Sequence, residues 1–329
     1  MRRRDFLKLV PLLGASSARA AKVEYPVVTP GRVFTFPRDH GAHPEYRVEW
    51  WYVTGWLGEG KGFQITFFRA RPDEDTPDNP SSFNPRQVLF AHAAVSDPKR
   101  GRLVHDQRAA RAGFSLAQAA TDRTAVWIDD WRLEQSGERY QATIAARDFS
   151  LDLGFAAPSI LLQGDHGFSR KGHRLEEASY YYSRPHMKVA GTLDGRAVEG
   201  TAWLDHEWSS AYLAPEASGW DWCGINLDDG SALMAFRMRD RSGGVHFASP
   251  HSQFRPLRTW KSPRTGVEYP IEMAVNDLVL KPLMDDQELD SRASTGTIYW
   301  EGAVRAFSNN SEIGRGYLEL TGYWKPMKL

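Results

Sequence analysis

The chain has 329 residues, 41 basic and 41 acidic side chains, and a single cysteine. That length can bury a large core and leaves room for two domains. The balanced charge offers no basic stripe of the kind nucleic-acid binding needs, and one cysteine excludes an intramolecular disulfide framework.

The first residues read as an address. Arg3-Arg4-Asp5-Phe6-Leu7-Lys8 fits the twin-arginine pattern, a weakly apolar run follows, and Ala18-Arg19-Ala20 is a cleavage site. Residues 1–20 are therefore expected to be a twin-arginine signal peptide, with Ala21 the mature N-terminus. Removing their five basic residues and one acidic residue leaves 36 against 40, a net −4. The mature protein is expected in the periplasm or outside the cell.

Beyond residue 20, patterns of period two dominate. Trp50, Tyr52, Thr54 and Trp56 alternate on one face, and residues 63–68 alternate again after a glycine-rich turn, which reads as a hairpin. Residues 71–82 form a polar, proline-laden loop. Further short strands are expected at 88–95, 124–133, 140–145, 149–155, 180–182, 187–193, 232–238, 297–307 and 316–324. The eight residues from Thr201 to Trp208 read as another strand. Amphipathic helices are scarce, so the class is all-β. Cys223 reads as a small buried apolar residue.

A weak internal repeat runs through the chain. Trp50, Tyr52, Leu57, Gly60 and Phe63 match Trp220, Trp222, Leu227, Gly230 and Leu233 at an offset of 170. Phe68-Arg69 matches Phe236-Arg237 after a two-residue slip, and Leu204 and Trp208 fall on Leu320 and Trp324. Each half is expected to open with an aromatic hairpin and close with a strand ending in tryptophan. The boundaries are 21–212 for an N-terminal domain and 213–329 for a C-terminal one.

Three candidate catalytic residues lie on the strand at 201–208: Asp205, His206 and Glu207. Strand alternation puts Trp203, Asp205 and Glu207 on one face and Leu204, His206 and Trp208 on the other. An aspartate beside a tryptophan should have a raised pKa and keep a proton available. In the second half the same positions are Thr321, Gly322 and Tyr323, so the strand does not need the three charges in order to fold. Trp50, Tyr52, Trp56, Tyr180, Tyr182 and Trp203 are expected to line one apolar ligand cavity. Arg38-Asp39-His40-Gly41 and Asp165-His166-Gly167 look like loop elements with hydrogen bonding as their role, and His43 stands near the first of them. Neither H-E-x-x-H nor a Cys/His zinc spacing is present, and no metal or other cofactor is expected. No G-x-S-x-G elbow supports a serine hydrolase.

Glu49-Trp50-Trp51-Tyr52-Val53-Thr54-Gly55, Phe67-Phe68-Arg69, Tyr180-Tyr181-Tyr182-Ser183 and Leu204-Asp205-His206-Glu207-Trp208 together resemble the AttH/CrtC-like family. That family includes carotenoid 1,2-hydratases and exported proteins described as predicted secreted hydrolases, with fungal Diels–Alderases as more distant relatives. The resemblance covers essentially the whole mature chain. It implies two lipocalin-like antiparallel β-barrel or sandwich domains in tandem. In the hydratases an acidic residue protonates an isoprenoid double bond and water captures the cation, a role that falls here on Asp205 in Trp203-Leu204-Asp205. The exported branch implies work beside ABC-type membrane permeases. Two readings follow. In the first, the protein binds an elongated hydrophobic ligand, lipid or isoprenoid, at the cell envelope. In the second, it is an enzyme using Asp205 as general acid in hydratase-like chemistry on an alkene.

Overall fold

The computed structural model describes residues 21–75, 86–157 and 159–328. The expected signal peptide and most of the polar loop lie outside them. Nearly all regular structure is antiparallel strand, in two large sheets that curl into tandem lipocalin-like near-barrels. No helix is long and apolar enough to cross a membrane.

The first sheet spans residues 48–209. From one edge its main path runs Val104–Arg111, Val88–Ser96, Lys61–Ala70, Val48–Leu57, Arg196–Ser209, Ala178–Leu193 and Ser150–Ala156. It continues through Arg139–Ala145, Trp131–Ser136, Ala125–Ile128 and Ala117–Ala119. Alternation of buried with more exposed residues in Trp131–Ser136 and Ser150–Ala156 gives the sheet one apolar face, and twist brings its two edges together. There Arg108 of the Val104–Arg111 edge donates to the Ile128 and Ala145 carbonyls at 3.1 and 3.2 Å.

The second sheet spans residues 217–320 and follows Val245–Ala248, Ala232–Asp240, Ala217–Leu227, Ser311–Leu320, Ile298–Ser308, Leu278–Pro282, Glu268–Val275 and Phe254–Lys261. Arg237 stitches its ends by donating to the Phe254 carbonyl at 3.0 Å. Cys223, Ile225, Met273 and Trp300 fill this barrel, and burial pushes the Cys223 thiol up to about 12.

Three sequence expectations change. The strand expected at 124–133 is a hairpin of Ala125–Ile128 and Trp131–Ser136, with Asp129 at φ 54° in its turn. The strands expected at 180–182 and 187–193 are one strand, Ala178–Leu193, whose register shifts between Arg184 and Met187. The strand expected at 316–324 is Ser311–Leu320. Gly322, at φ 72°, turns the chain close beneath Ser218. Trp324 therefore lies outside the barrel, on the wall of a surface cleft, whereas Trp208 is buried inside the first one.

The outer face of Val48–Leu57 and Arg196–Ser209 packs on the second sheet. Tyr52, Trp56, Trp203, Trp222, Phe236 and Tyr317 share one buried cluster. Trp56 donates to the Gly316 carbonyl at 3.0 Å. The sheets approach so closely that a Cβ on Gly62 would stand 2.6 Å from both Ala303 and the Tyr317 hydroxyl. The offset-170 repeat is visible in this seam: Trp50 and Tyr52 face it from one barrel, Trp220 and Trp222 from the other. Tyr52 meets Trp222 edge-on at 5.3 Å.

Candidate active site

Asp205 and Glu207 point into this seam, and both are buried. The Asp205 carboxylate accepts from the Tyr181 hydroxyl at 2.7 Å, the Ser183 hydroxyl at 2.5 Å and the Trp203 indole at 2.6 Å. Register explains the set, since Ser183 stands directly opposite Asp205 and Tyr181 opposite Glu207 on the neighbouring strand, and cross-strand partners share a face. The second barrel adds Trp222, whose indole donates to the Tyr181 hydroxyl at 3.1 Å. Burial pushes Asp205 up to about 7, the three donors pull it back, and Glu207 raises it further. The group is therefore poised to hold or release a proton near neutrality.

Glu207 meets Lys171 at 2.7 Å and also accepts from the Ser179 hydroxyl. The Lys171 ammonium is buried against the Phe236 ring at 4.0 Å, Tyr181 at 4.8 Å and Tyr212 at 5.1 Å. Burial drives Lys171 down and Glu207 up, each opposed by the charge of the other.

The facing strands of the second barrel bring two more acids. Glu301 and Glu319 are direct cross-strand partners. Trp220 donates to Glu319 at 2.8 Å. Burial raises Glu319 to about 7, with Asp205 and Glu207 adding to the shift. Burial and then Glu319 raise Glu301 well above the ordinary carboxylate range. Sequence reasoning missed Lys171, Glu301 and Glu319, because only the packing of separate elements carries them to Asp205.

His206 stands elsewhere, inside the first barrel. Its Nε2 lies 2.8 Å from Glu49 Oε1, which also meets His43 Nδ1 at 2.8 Å, while Arg69 Nε reaches Glu49 Oε2 at 2.9 Å. His43 Nε2 lies 3.1 Å from Asp39. Tyr182 bridges His206 Nδ1 at 3.2 Å and His40 Nδ1 at 2.8 Å, and Arg184 faces His40 Nε2 at 3.1 Å. Arg184 can only donate, so His40 carries its proton on Nδ1 and donates to Tyr182. Tyr182 then donates to His206, and His206 Nε2 donates to Glu49.

Burial opposes ionisation of Glu49, but His43 and Arg69 hold it well below the usual range. His43 is raised despite its burial, because Glu49 and Asp39 face it. Burial lowers His206. Burial, together with Arg184 and His206, takes His40 down to about 3. His43, Glu49 and His206 bring three ligand-type atoms within 4.8 Å of one another. Arg69 and the His43 backbone N–H already occupy the second Glu49 oxygen, so hydrogen bonds satisfy the group. It is a polar barrel core, in which His40 has the hydrogen-bonding role expected of it and is buried as well.

The six aromatic residues expected in one cavity divide between these two places. Trp50, Tyr52, Trp56 and Trp203 belong to the seam, and Tyr180 and Tyr182 to the barrel interior. Three open clefts, of about 1150, 490 and 300 Å³, are lined by none of the six. The smallest opens at one end of the seam over Val48, Tyr212, Leu213 and Met327. Tyr212 connects it inward, edge-on to Trp50 at 4.7 Å and to Trp220 at 5.4 Å.

The AttH-like family model matches residues 27–323. The chain belongs to the AttH-like family. It is similar to a Nitrosomonas europaea protein assigned to AttH, at 47% identity and a TM-score of 0.84, over 91% of this chain and 99% of that one. It is also similar in fold to kievitone hydratase from Nectria haematococca, at 12% identity and a TM-score of 0.61, over 93% and 98% of the two chains. No curated protein sequence matches. In this AttH-like chain, two antiparallel barrels pack through an aromatic seam.

Proposed function

We propose that this AttH-like protein is an acid catalyst acting on an elongated apolar alkene of isoprenoid or lipid type, with Asp205 as the proton donor. The observation that carries the reading is the Asp205 carboxyl itself. It is buried between two barrels, held by three donors, and pushed up to about 7. A neutral acid in buried aromatic surroundings can protonate a double bond, and the faces of Trp203, Trp222 and Tyr52 would stabilise the cation. The cleft at Tyr212 offers an apolar approach to the seam.

The fold shared with a protein named for hydration is compatible with this reading but does not carry it. The same proposal sets the protein at the cell envelope beside an ABC-type permease; its support is the twin-arginine pattern of residues 1–20 and the family resemblance. The test is incubation with a panel of isoprenoid alkenes in deuterated water, reading deuterium on carbon by mass spectrometry. The wild type should incorporate it and Asp205→Asn should not. A binding protein that only carries its ligand would co-purify with envelope lipid and leave every alkene undeuterated. That result would overturn the catalytic reading.

A further inference from the structure

Beside Asp205 lies a group of polar atoms that the protein itself leaves unsatisfied. The Tyr52 hydroxyl, the Tyr317 hydroxyl and both Glu301 carboxyl oxygens are buried without a hydrogen-bond partner among the described residues. Buried polar groups are nearly always paired, and each unpaired one costs about 1–3 kcal/mol. Four such atoms in one place call for an occupant that can both donate and accept.

Their placement is set by the strands. Tyr52 stands directly opposite Asp205 on the adjacent strand, on the same face. Glu301 comes from the Ile298–Ser308 strand across the seam, and Tyr317 stands on its neighbour, opposite Ala303. Tyr52 and Tyr317 pack in the same buried seam cluster as Ala303, whose face Glu301 shares two residues away on its strand, and the Glu301 carboxyl adds to burial in raising both hydroxyls. Gly62 leaves the Tyr317 hydroxyl the room it occupies. A buried polar cluster that offers three or four partners suits a water molecule.

We propose that Glu301, Tyr52 and Tyr317 form a water-holding subsite that delivers the nucleophile to the cation made by Asp205. The inference rests on the reading of Asp205 as general acid. The step balances without a second base. The π pair of the alkene takes the Asp205 proton, leaving a carbocation and a carboxylate. A lone pair of the held water forms the new C–O bond, and the proton that water loses returns to Asp205. Glu301 acts as a positioning residue. With the water misplaced, the cation instead gives a proton from carbon back to Asp205, and the product is an isomerised alkene.

The test separates the two roles. In deuterated water, Glu301→Gln should still deuterate carbon, while the ratio of alcohol to isomerised alkene falls about tenfold as water positioning is lost. Tyr52→Phe, checked for folding by circular dichroism, should shift the ratio the same way and guards against misfolding of the first variant. A crystal structure at high resolution should show one ordered water within hydrogen-bond distance of Glu301 and at least one of the two hydroxyls. An unchanged product ratio in both variants, or no water there, overturns the subsite while leaving Asp205 intact. Absence of any deuteration in the wild type overturns the acid reading and the subsite's catalytic role with it.

Discussion

Asn226 of the second barrel holds the backbone of His186 in the first: the His186 N–H donates to Asn226 Oδ1 at 2.9 Å. The same side chain donates through Nδ2 to the Ala202 carbonyl at 3.2 Å. One amide thus ties both strands of the hairpin at the point where the register shifts between Arg184 and Met187. His186 sits there at φ 53°, a conformation side chains other than glycine rarely adopt. Asn226→Ala should therefore lower unfolding free energy by about 1–3 kcal/mol, as loss of buried hydrogen bonds predicts. It should also weaken catalysis, because the shift is what aims Tyr181 and Ser183 at Asp205. Urea titration and deuterium incorporation measure the two effects; unchanged values in both would separate the bulge from the site.

The same hairpin shows what could be read from the sequence and what could not. Asp194-Gly195, both at positive φ, form a two-residue turn that pairs Leu193 with Arg196. Continued without interruption, that pairing sets Tyr182 opposite Glu207 and Arg184 opposite Asp205. The irregularity at Pro185-His186 moves every earlier residue by one, so that Tyr181 and Ser183 take the seam and Tyr182 turns inward. A proline inside a strand marks such a place, since it has no N–H to give the ladder. The division of Asp205 from His206, and the matching of Trp50 and Tyr52 with Trp220 and Trp222, followed from alternation and repeat alone. The buried partners Glu49, Lys171, Glu301 and Glu319 did not, because their roles come from contacts between distant segments.

The stability contributed by Asp205 and Glu319 should fall as pH rises from about 4 to about 7. The folded Asp205 carboxyl titrates at about 7 and its ordinary value is 3.8, while Glu319 also titrates at about 7 against 4.5. In that window these two groups bind more protons in the native state than in the unfolded chain, while the buried His40 and His206 act in the opposite sense. The contribution is thus full below the ordinary values and lost as pH passes the raised ones. Asp205→Asn keeps the shape without the titration. Urea denaturation at a series of pH values should show stability changing more favourably with rising pH in this variant than in wild type across that window. An identical slope would mean that Asp205 does not titrate where its burial puts it.

Lys171 and Glu207 form a buried pair whose halves fail separately. Lys171→Met leaves the Glu207 carboxylate in an apolar seam with only the Ser179 hydroxyl, and should cost about 3–5 kcal/mol. Lys171→Met combined with Glu207→Gln removes both charges and should recover a large part of that loss. A double-mutant cycle by chemical denaturation reads the coupling. Additive losses would show that the two side chains stand in the fold independently.

In the first barrel the charge balance turns on Glu49. Its two oxygens face His43, His206 and Arg69, all buried. Glu49→Gln keeps the volume but strips the anion, so that the Arg69 guanidinium remains buried without its compensating charge. Arg69 still has the His43 and Tyr46 carbonyls as acceptors, at 3.0 Å each, which limits the damage to the lost charge. The expected loss is about 3 kcal/mol, at the low end for a broken buried pair. Asp205 lies on the opposite face of its strand, in the seam. The pH dependence attached to Asp205 should therefore survive in this variant, only displaced downward in stability. If that dependence vanished as well, the two faces of the Arg196–Ser209 strand would have to act as one site.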